Sequence, residues 1–421
     1  MDFSTVHLEP DPQRTGSPTR GPFQILHVEV GGSYGGSLRA LEQYLAYSDH
    51  SRFKHDALLY YPTPGMERLA ASCRKVMTLY PNLPSSFKRT RATSHSTLRN
   101  GLRNSRLAPV LLEAREWLGL VRALPIARRL RKVLVSTRYD LIHVNNSFTY
   151  QVSTLVAAKL ARIPVVAHMR NPIDANAFSR AMMRLTDCVV TVNNAFEREL
   201  RSWEVPVAVR TCHDSVEIPV VDERISSQLR AALGAPGSVL VGSAGRLDPQ
   251  KGYADFIRAA RLVFDANPSV RFAIAGDGPL RASLTKLIDE LGLAGIFHLC
   301  GFREDVGSFL AALDIFVCSS HWEGGPLAVI EAMLLGKPVV ATDVGCTSEI
   351  VLSNETGDLI PSGEPKGIAE AILTLAADKD LRGRLGSAAA TRVEHLSNMQ
   401  ARARDLNTIF ESTLICANDA A

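Results

Sequence analysis

The sequence predicts an α/β protein of two tandem Rossmann-like domains, each a parallel sheet with crossover helices. Three observations carry that reading. Short apolar runs bounded by turn residues alternate with helix-length stretches from residue 23 to about 205. The alternation loosens from Pro206 to Pro236, around Pro219 and the charged Asp222-Glu223-Arg224, and then restarts. Each half opens with an apolar run that leads at once into a glycine-containing turn. With 421 residues, 46% hydrophobic and 21% charged, the chain can bury a substantial core without metals or disulfides.

Phe23–Val30 reads as a buried strand running into Gly31-Gly32-Ser33-Tyr34-Gly35-Gly36, and Leu38, Leu41 and Leu45 then follow at helical spacing. Strands are expected at Ala57–Tyr60, Leu141–Val144, Val165–His168 and Cys188–Val192, with helices over Tyr150–Arg162 and Ala195–Trp203 between them. In the second half, strands are expected at Val239–Ala244, Arg271–Ala275, Ile296–Leu299, Ile315–Cys318 and Val339–Thr342. Helices follow from Tyr253, Leu280 and Pro326 and around Phe309, and the last lie between Pro365 and Phe410. The expected organisation is a disordered tail over 1–20, an N-terminal domain over 21–215, a linker over 216–236, a C-terminal domain over 237–400, and a terminal helix and tail over 401–421.

The first twenty residues lack the apolar core of a secretory signal. No stretch is apolar enough to span a bilayer: Leu141–Ala158, the longest without charge, carries His143, Asn145, Asn146 and Gln151. Seven cysteines, an odd number with no C-x-x-C pair, read as reduced thiols, which points to a cytoplasmic protein. The net charge of +4 hides an uneven distribution. Between Ser85 and Arg138 stand thirteen Lys or Arg against Glu113 and Glu116, a local balance of +11, so the remaining chain carries −7. Segment 85–138 is expected as a basic helical insertion. Its alternation of Arg128, Arg129, Arg131 and Lys132 with Ile126, Leu130, Val133 and Leu134, after Leu111 to Val121, reads as a pair of amphipathic helices. Either an anionic membrane surface or a solvated basic face accounts for it.

The densest chemical signal runs from His321 to Met333. Pro326 suits a first helical position, and Leu327, Ile330, Glu331 and Leu334 then follow helical spacing, which puts Glu331 on an otherwise apolar stripe. A carboxylate there needs a donor, either a structural one such as Lys337 or the diol of a sugar. Arg246 and Lys251 both lie near a helix start, where cations are disfavoured unless an anion sits between them. His168 and Arg170 share one face of a strand, and a satisfied structural histidine is an equal reading of the first.

In these residues the sequence resembles the retaining glycosyltransferases of family 4, whose fold, GT-B, sets two Rossmann-like domains across a cleft. The carrying motif is Glu323 and Glu331 seven residues apart, then Gly336-Lys337-Pro338-Val339-Val340-Ala341-Thr342 and Gly345-Cys346-Thr347-Ser348-Glu349. Gly245-Arg246-Leu247 with Lys251-Gly252, Gly276-Asp277-Gly278-Pro279 and Gly301-Phe302-Arg303 fall in the family's order, and Gly31-Gly32 takes the place of its glycine loop. The resemblance implies that Arg246 and Lys251 grip the diphosphate of a nucleotide sugar, that Glu323 holds sugar hydroxyls and that Glu331 holds the ribose diol. It further implies that Gly301, Phe302 and Arg303 line the base pocket and that Gly31, Gly32, Gly324, Gly325 and Leu327 approach the phosphates. His168 and Arg170 complete the implied catalytic set.

Two departures stand out. Pro326 replaces a glycine whose N–H relatives use, which leaves Gly325 and Leu327 to supply donors, and Cys346 replaces another glycine. Asp214-Ser215-Val216-Glu217 reads as a structural turn.

The implied activity is retaining, metal-independent transfer of a sugar to a hydroxyl, with a nucleotide sugar as donor substrate and no cofactor. The implied acceptor is a glycan or lipid-linked molecule in cell-surface polysaccharide or glycan synthesis, met in the cytoplasm or at the inner membrane face, and no nucleic acid is a partner. A nucleotide-sugar epimerase of the same architecture and a non-catalytic nucleotide-sugar sensor are the alternatives. A dinucleotide dehydrogenase is disfavoured, because Gly31–Gly36 lacks a full G-x-G-x-x-G.

Overall fold

A computed structural model describes residues 21–31, 35–63, 66–80, 108–234 and 237–419. The expected tail 1–20, Gly32 and the basic residues Lys88, Arg89, Arg91, Arg99, Arg103 and Arg106 lie outside the described residues. The chain forms two units, leaving the first after Cys212 and returning to it after Met399.

Seven parallel strands make the sheet of the first unit: β1 (Phe23–Gly31), β2 (Phe53–Tyr61), β3 (Lys75–Thr78), β4 (Leu141–Val144), β5 (Val165–Met169), β6 (Cys188–Thr191) and β7 (Ala208–Thr211), in the order β3-β2-β1-β4-β5-β6-β7. Its helices are α1 (Gly36–Tyr47), α2 (Met66–Ala70), α3 (Ala108–Thr137), α4 (Val152–Ala161), α5 (Ala177–Met183) and α6 (Asn194–Ser202). Strands buried on both faces read as continuous apolar runs, which is why β1, β4, β5 and β6 were legible. β3 and β7 are edge strands, half-exposed and short, and their sequences KVMT and AVRT carry no such run.

One core cluster joins Leu26, Val28, Ile142 and Val144 to Ala127, Leu130 and Leu134 of α3 and Leu155 of α4. The cluster on the other face joins Ile25, Leu59 and Val166 to Leu41 and Tyr44 of α1 and to Leu406 and Phe410 from the end of the chain.

The second unit holds a six-stranded parallel sheet. Its strands are β8 (Leu240–Ala244), β9 (Arg271–Ala275), β10 (Phe297–Leu299), β11 (Ile315–Cys318), β12 (Val339–Thr342) and β13 (Gly357–Ile360), in the order β10-β9-β8-β11-β12-β13. Helices α7 (Glu223–Leu233), α8 (Tyr253–Ala266), α9 (Arg281–Glu290), α10 (Val306–Ala312), α11 (Leu327–Leu334), α12 (Thr347–Ile350), α13 (Pro365–Ala377) and α14 (Lys379–Val393) accompany it. The last helix, α15 (Met399–Asp419), returns to the first unit.

Two expectations need correction. The stretch 216–236 is not an open linker, because α7 occupies most of it, capped by the Asp222 carboxylate accepting from the Arg224 and Ile225 amides. Ala108–Thr137 is one 30-residue helix rather than a pair, and it is the crossover from β3 to β4 rather than an appendage. Ala123, Ala127, Leu130 and Leu134 give it a buried edge at helical spacing. Pro125 lies on the exposed side of the helix, as does Val121, whose carbonyl it cannot serve.

The α1/α15 face of the first sheet carries an unusual row. The two-residue pleat sends His27, His55, His143 and His168, one from each of four adjacent strands, to this face. His55 Nε2 lies 3.0 Å from Ser48 Oγ, His55 Nδ1 2.9 Å from His27 Nε2, His27 Nδ1 2.8 Å from His143 Nδ1, and His143 Nε2 3.1 Å from His168 Nδ1. Tyr44 and Phe410 pack over the rings. A neutral imidazole owns a single N–H, so each of the three inter-ring bonds uses one proton and all must point the same way along the row.

Burial, aided by neighbouring imidazoles and by Arg170 and Arg402, holds His27, His143 and His168 well below the usual histidine value. Burial also pushes His55 down to about 3. Histidines neutral in the folded state but free to protonate when unfolded stabilise the fold above their unfolded value, and this is lost as pH falls below about 6.5. Each costs about 1.4 kcal/mol at one pH unit below that value, so the four together remove roughly 5 kcal/mol between pH 7.5 and 5.5. Urea denaturation at the two pH values measures this; a flat profile would show that the row is charged or solvated.

Candidate functional site

In the second unit, β8 and β11 are neighbours at the point where strand order reverses, and the carboxyl ends of such strands form the ligand crevice of open α/β sheets. Beyond β8 the chain turns through Gly245 and Arg246 into a short helical turn, Pro249–Lys251, which Asp248 caps by accepting from the Gln250 amide. Beyond β11 it runs through Ser319 and Ser320 to Glu323. These two exits converge. Lys251 Nζ stands 2.7 Å from Glu323 Oε1, which also accepts from Ser320 Oγ at 2.6 Å, and Ser319 Oγ donates to the Lys251 carbonyl at 2.9 Å.

Glu323 is 2% exposed. Burial alone would lower the Lys251 pKa, but the Glu323 carboxylate, with Cys318 and Tyr253, outweighs it and raises the ammonium above its usual value. A small cavity beside the pair is lined by Ser243, Lys251, Tyr253, Cys318, Glu323 and Val329. Burial pushes the Cys318 thiol up to about 11, which keeps it protonated at neutral pH.

The turn after Glu323 is tightly constrained. Gly345 has φ +59°, and a Cβ there would lie 1.8 Å from the Glu323 carbonyl oxygen, so glycine is required for the two turns to meet. Cys346 Sγ donates to the Gly324 carbonyl at 2.9 Å, so the residue that replaces a glycine pins the adjacent turn. Asp214 Oδ2 lies 3.0 Å from where a Gly325 Cβ would stand, which places the Asp214 turn against this segment.

Helix α11 starts at Leu327, so Pro326 is its N-cap rather than its first residue. The Leu327 amide, expected as a phosphate donor, donates to the Gly325 carbonyl at 3.0 Å. Glu331 is buried on α11. Lys337 is not its partner, because that ammonium donates to the Ala311 and Leu313 carbonyls, both at 2.7 Å.

Arg246, half-exposed, pairs with Asp248, its Nε 2.6 Å from Oδ2. The turns after β8, β9 and β10 stack: the Gly245 amide donates to Ala275, the Gly276 amide to the Gly301 carbonyl at 2.7 Å. Phe302 presents a 63% exposed side chain beyond this stack, and Arg303 pairs with Asp305 at 2.6 Å.

The first unit has a corresponding reversal between β1 and β4. Gly31, at φ +69°, ends β1 where a Cβ would lie 2.4 Å from the Tyr61 carbonyl. Sequence reasoning passed over Glu29, two residues earlier. It is 3% exposed and accepts from Asn145 Nδ2 at 2.7 Å and from the Val30 amide at 2.9 Å. Asn145 in turn accepts from Arg170 through its carbonyl oxygen at 3.0 Å and through Oδ1 at 3.5 Å. The missed signal was an acid ending an apolar strand immediately before a Gly-Gly pair. His168, expected beside Arg170, is wholly buried in the histidine row, so only Arg170 of that pair stands at the strand end.

Two family models match: one described as glycosyl transferases group 1 over residues 226–392 and one described as glycosyltransferase family 4 over residues 51–218. An Escherichia coli protein named UDP-Gal:alpha-D-GlcNAc-diphosphoundecaprenol alpha-1,3-galactosyltransferase is 27% identical over 60% of this chain and 70% of its own length. The lipopolysaccharide core biosynthesis mannosyltransferase LpsB of Rhizobium meliloti (strain 1021) is 33% identical over 45% of this chain, which spans only 56% of LpsB. Among solved structures, that of Anabaena Alr3699/HepE in complex with UDP aligns with a TM-score of 0.71 at 22% identity, covering 93% of this chain and all of that one. At that identity the likeness is one of fold, and the fold is GT-B.

Removing one member of a buried pair strands the other. Lys251→Met is expected to destabilise the second unit by about 3 kcal/mol, and adding Glu323→Gln should recover a good part of it. Urea unfolding of the two single variants and the double variant tests this, and additive losses would mean that the pair is not coupled.

Proposed function

Because the chain belongs to the group 1, family 4 glycosyltransferases, we propose that it transfers a glycosyl unit from a UDP-sugar to a hydroxyl, with retention and without a required metal ion. The observation that carries the proposal is the convergence of Lys251, Glu323 and Ser320 at the strand-order reversal of the second sheet. The uridine nucleotide is suggested by the names of the E. coli relative and of the HepE complex.

In the absence of donor, Lys251 and Glu323 neutralise one another. A bound diphosphate offers Lys251 a second and more highly charged partner, and Glu323 becomes an acceptor for sugar hydroxyls. When the C1–oxygen bond breaks, its electron pair stays on the diphosphate, where Lys251 and Arg246 stabilise the growing charge. The acceptor oxygen bonds to C1 on the same face, and its proton passes to the departing phosphate oxygen. This chain then needs no nucleophile of its own. Glu331 is assigned the ribose diol, and Gly301 to Arg303 the base. Recognition of the acceptor is assigned to the first unit, through Gly31 and Arg170.

The acceptor is proposed to be a glycan or lipid-linked hydroxyl in cell-surface polysaccharide synthesis, in keeping with the named relatives. Helix α3 supports a place for it at an anionic membrane surface. Trp117, Leu118 and Val121 are 40%, 62% and 63% exposed on its first half, and Arg122, Arg128, Arg129 and Lys132 are exposed along the second. Such a face suits insertion between anionic headgroups. Among the described residues, no helix is long and apolar enough to cross a membrane.

Calorimetry with a panel of UDP-sugars should find a binder, and Glu331→Ala should weaken it while the fold survives; unchanged affinity would remove the ribose assignment. Lys251→Ala is expected to lower turnover at least about tenfold, with the product's anomeric configuration read by NMR. Co-sedimentation should occur with phosphatidylglycerol vesicles and not with phosphatidylcholine, and fail for Trp117→Ser/Leu118→Ser. Equal recovery with both lipids would leave α3 a solvated basic face.

A further inference from the structure

Glu29 is a buried carboxylate with no part in the proposed chemistry, and its surroundings give it a definite task. A carboxylate can only accept hydrogen bonds, whereas an asparagine side chain has a donor end and an acceptor end. Glu29 Oε2 takes the Asn145 Nδ2 donor, and Oε1 takes the Val30 amide and, at 3.4 Å, Asn146 Nδ2. Both amides are thereby turned with their carbonyl ends toward the exit of β5. There Asn145 Oδ1 meets Arg170 Nη2, and Asn146 Oδ1 accepts from Asn171 Nδ2 at 3.3 Å. The second Asn145 Nδ2 hydrogen goes to the Ser37 carbonyl at 2.9 Å, where α1 begins after the glycine loop. One acid at the end of β1 therefore orients groups from β4, β5 and α1 around the strand-order reversal of the first sheet.

We propose that Glu29 is a positioning residue for glycosyl transfer, acting through Asn145 to hold the Arg170 guanidinium at the reversal point of the first unit. Its kinetic consequence rests on the transferase reading above; its geometric consequence does not. Glu29→Gln keeps the shape but brings an NH2 group, and because the Val30 amide still requires an acceptor, that NH2 faces the Asn145 donor. Asn145 must then flip and present its NH2 to Arg170. Asn145→Asp sets two carboxylates against each other. The exchange Glu29→Gln/Asn145→Asp restores a donor and an acceptor across the contact and leaves a carboxylate oxygen for Arg170, while giving up the bond from residue 145 to the Ser37 carbonyl.

Four proteins, the wild type, the two single variants and the exchange, are compared in two ways. The first is the ¹⁵N-edited signal of the Arg170 Nη2–H that faces Asn145 Oδ1, assigned by its loss in Arg170→Lys. It should be slow to exchange in the wild type, lost or shifted in both single variants and restored in the exchange. The second is UDP release at saturating UDP-sugar, well below the melting temperature. Each single variant should lose about tenfold in kcat with UDP affinity unchanged, and the exchange, which lacks only the Ser37 contact, should recover part of it. In an Arg170→Gln background, Glu29→Gln should change nothing further.

An Arg170 signal indifferent to Glu29→Gln, an exchange no better than its parents, or a Glu29→Gln loss that persists without Arg170 would each overturn the proposal. If the wild type consumes no UDP-sugar, the transferase reading falls, and the Arg170 signal alone decides the role of Glu29.

Discussion

A parallel sheet has no face it can leave in water, because its crossovers bring apolar side chains to both sides of every strand. That requirement governs the rest of this molecule. In the first unit α3 and α4 cover one face, but the helices of the N-terminal half alone do not close the other: α15 supplies Leu406 and Phe410 to it, and Tyr44 of α1 packs against Phe410. With both faces sealed, polar chemistry can concentrate only at the carboxyl ends of the strands. There each unit's reversal gathers its own polar groups, Glu29 and Asn145 at β1/β4 in the first and Lys251 and Glu323 at β8/β11 in the second.

The two ends solve the same electrostatic problem differently. In the second unit a carboxylate and an ammonium meet directly, and a serine hydroxyl donates to the carboxylate alone, so a competing ligand charge can part them. In the first, a carboxylate and a guanidinium are separated by an amide that each bonds at a different end, which fixes orientation and leaves the cation's remaining donors directed elsewhere. The thiols nearby take no part: burial pushes Cys318 and Cys346 up, and each donates its proton to a neighbouring oxygen.

The sequence carried the strands whose burial is continuous, and Arg271–Ala275, Ile315–Cys318 and Val339–Thr342 stand where their apolar runs place them. Edge strands such as β7 alternate weakly, and α7 hides behind prolines and charges that resemble a loop. The Glu323 segment was legible because glycine and proline spacing over some thirty residues is hard to meet by chance. The histidine row was not, since its neighbouring members are 25 to 116 residues apart in the chain and only strand order brings them together. Glu29 escaped for a related reason: an acid beside glycines is ordinary until Asn145 and Arg170 arrive from other strands.

The return of α15 to the first unit makes that unit discontinuous along the chain. Most domains can begin to fold as soon as they leave the ribosome. Here the face of the first sheet that bears the histidines, covered by α1 alone, stays incomplete until residues beyond Met399 have been made, by which time the whole of His213–Met399 is available to fold. Order of synthesis and order of completion are therefore opposite: the later unit can finish first, and the earlier one waits with imidazoles and apolar strand faces only half covered, a period in which chaperones and acid have their easiest access to this protein.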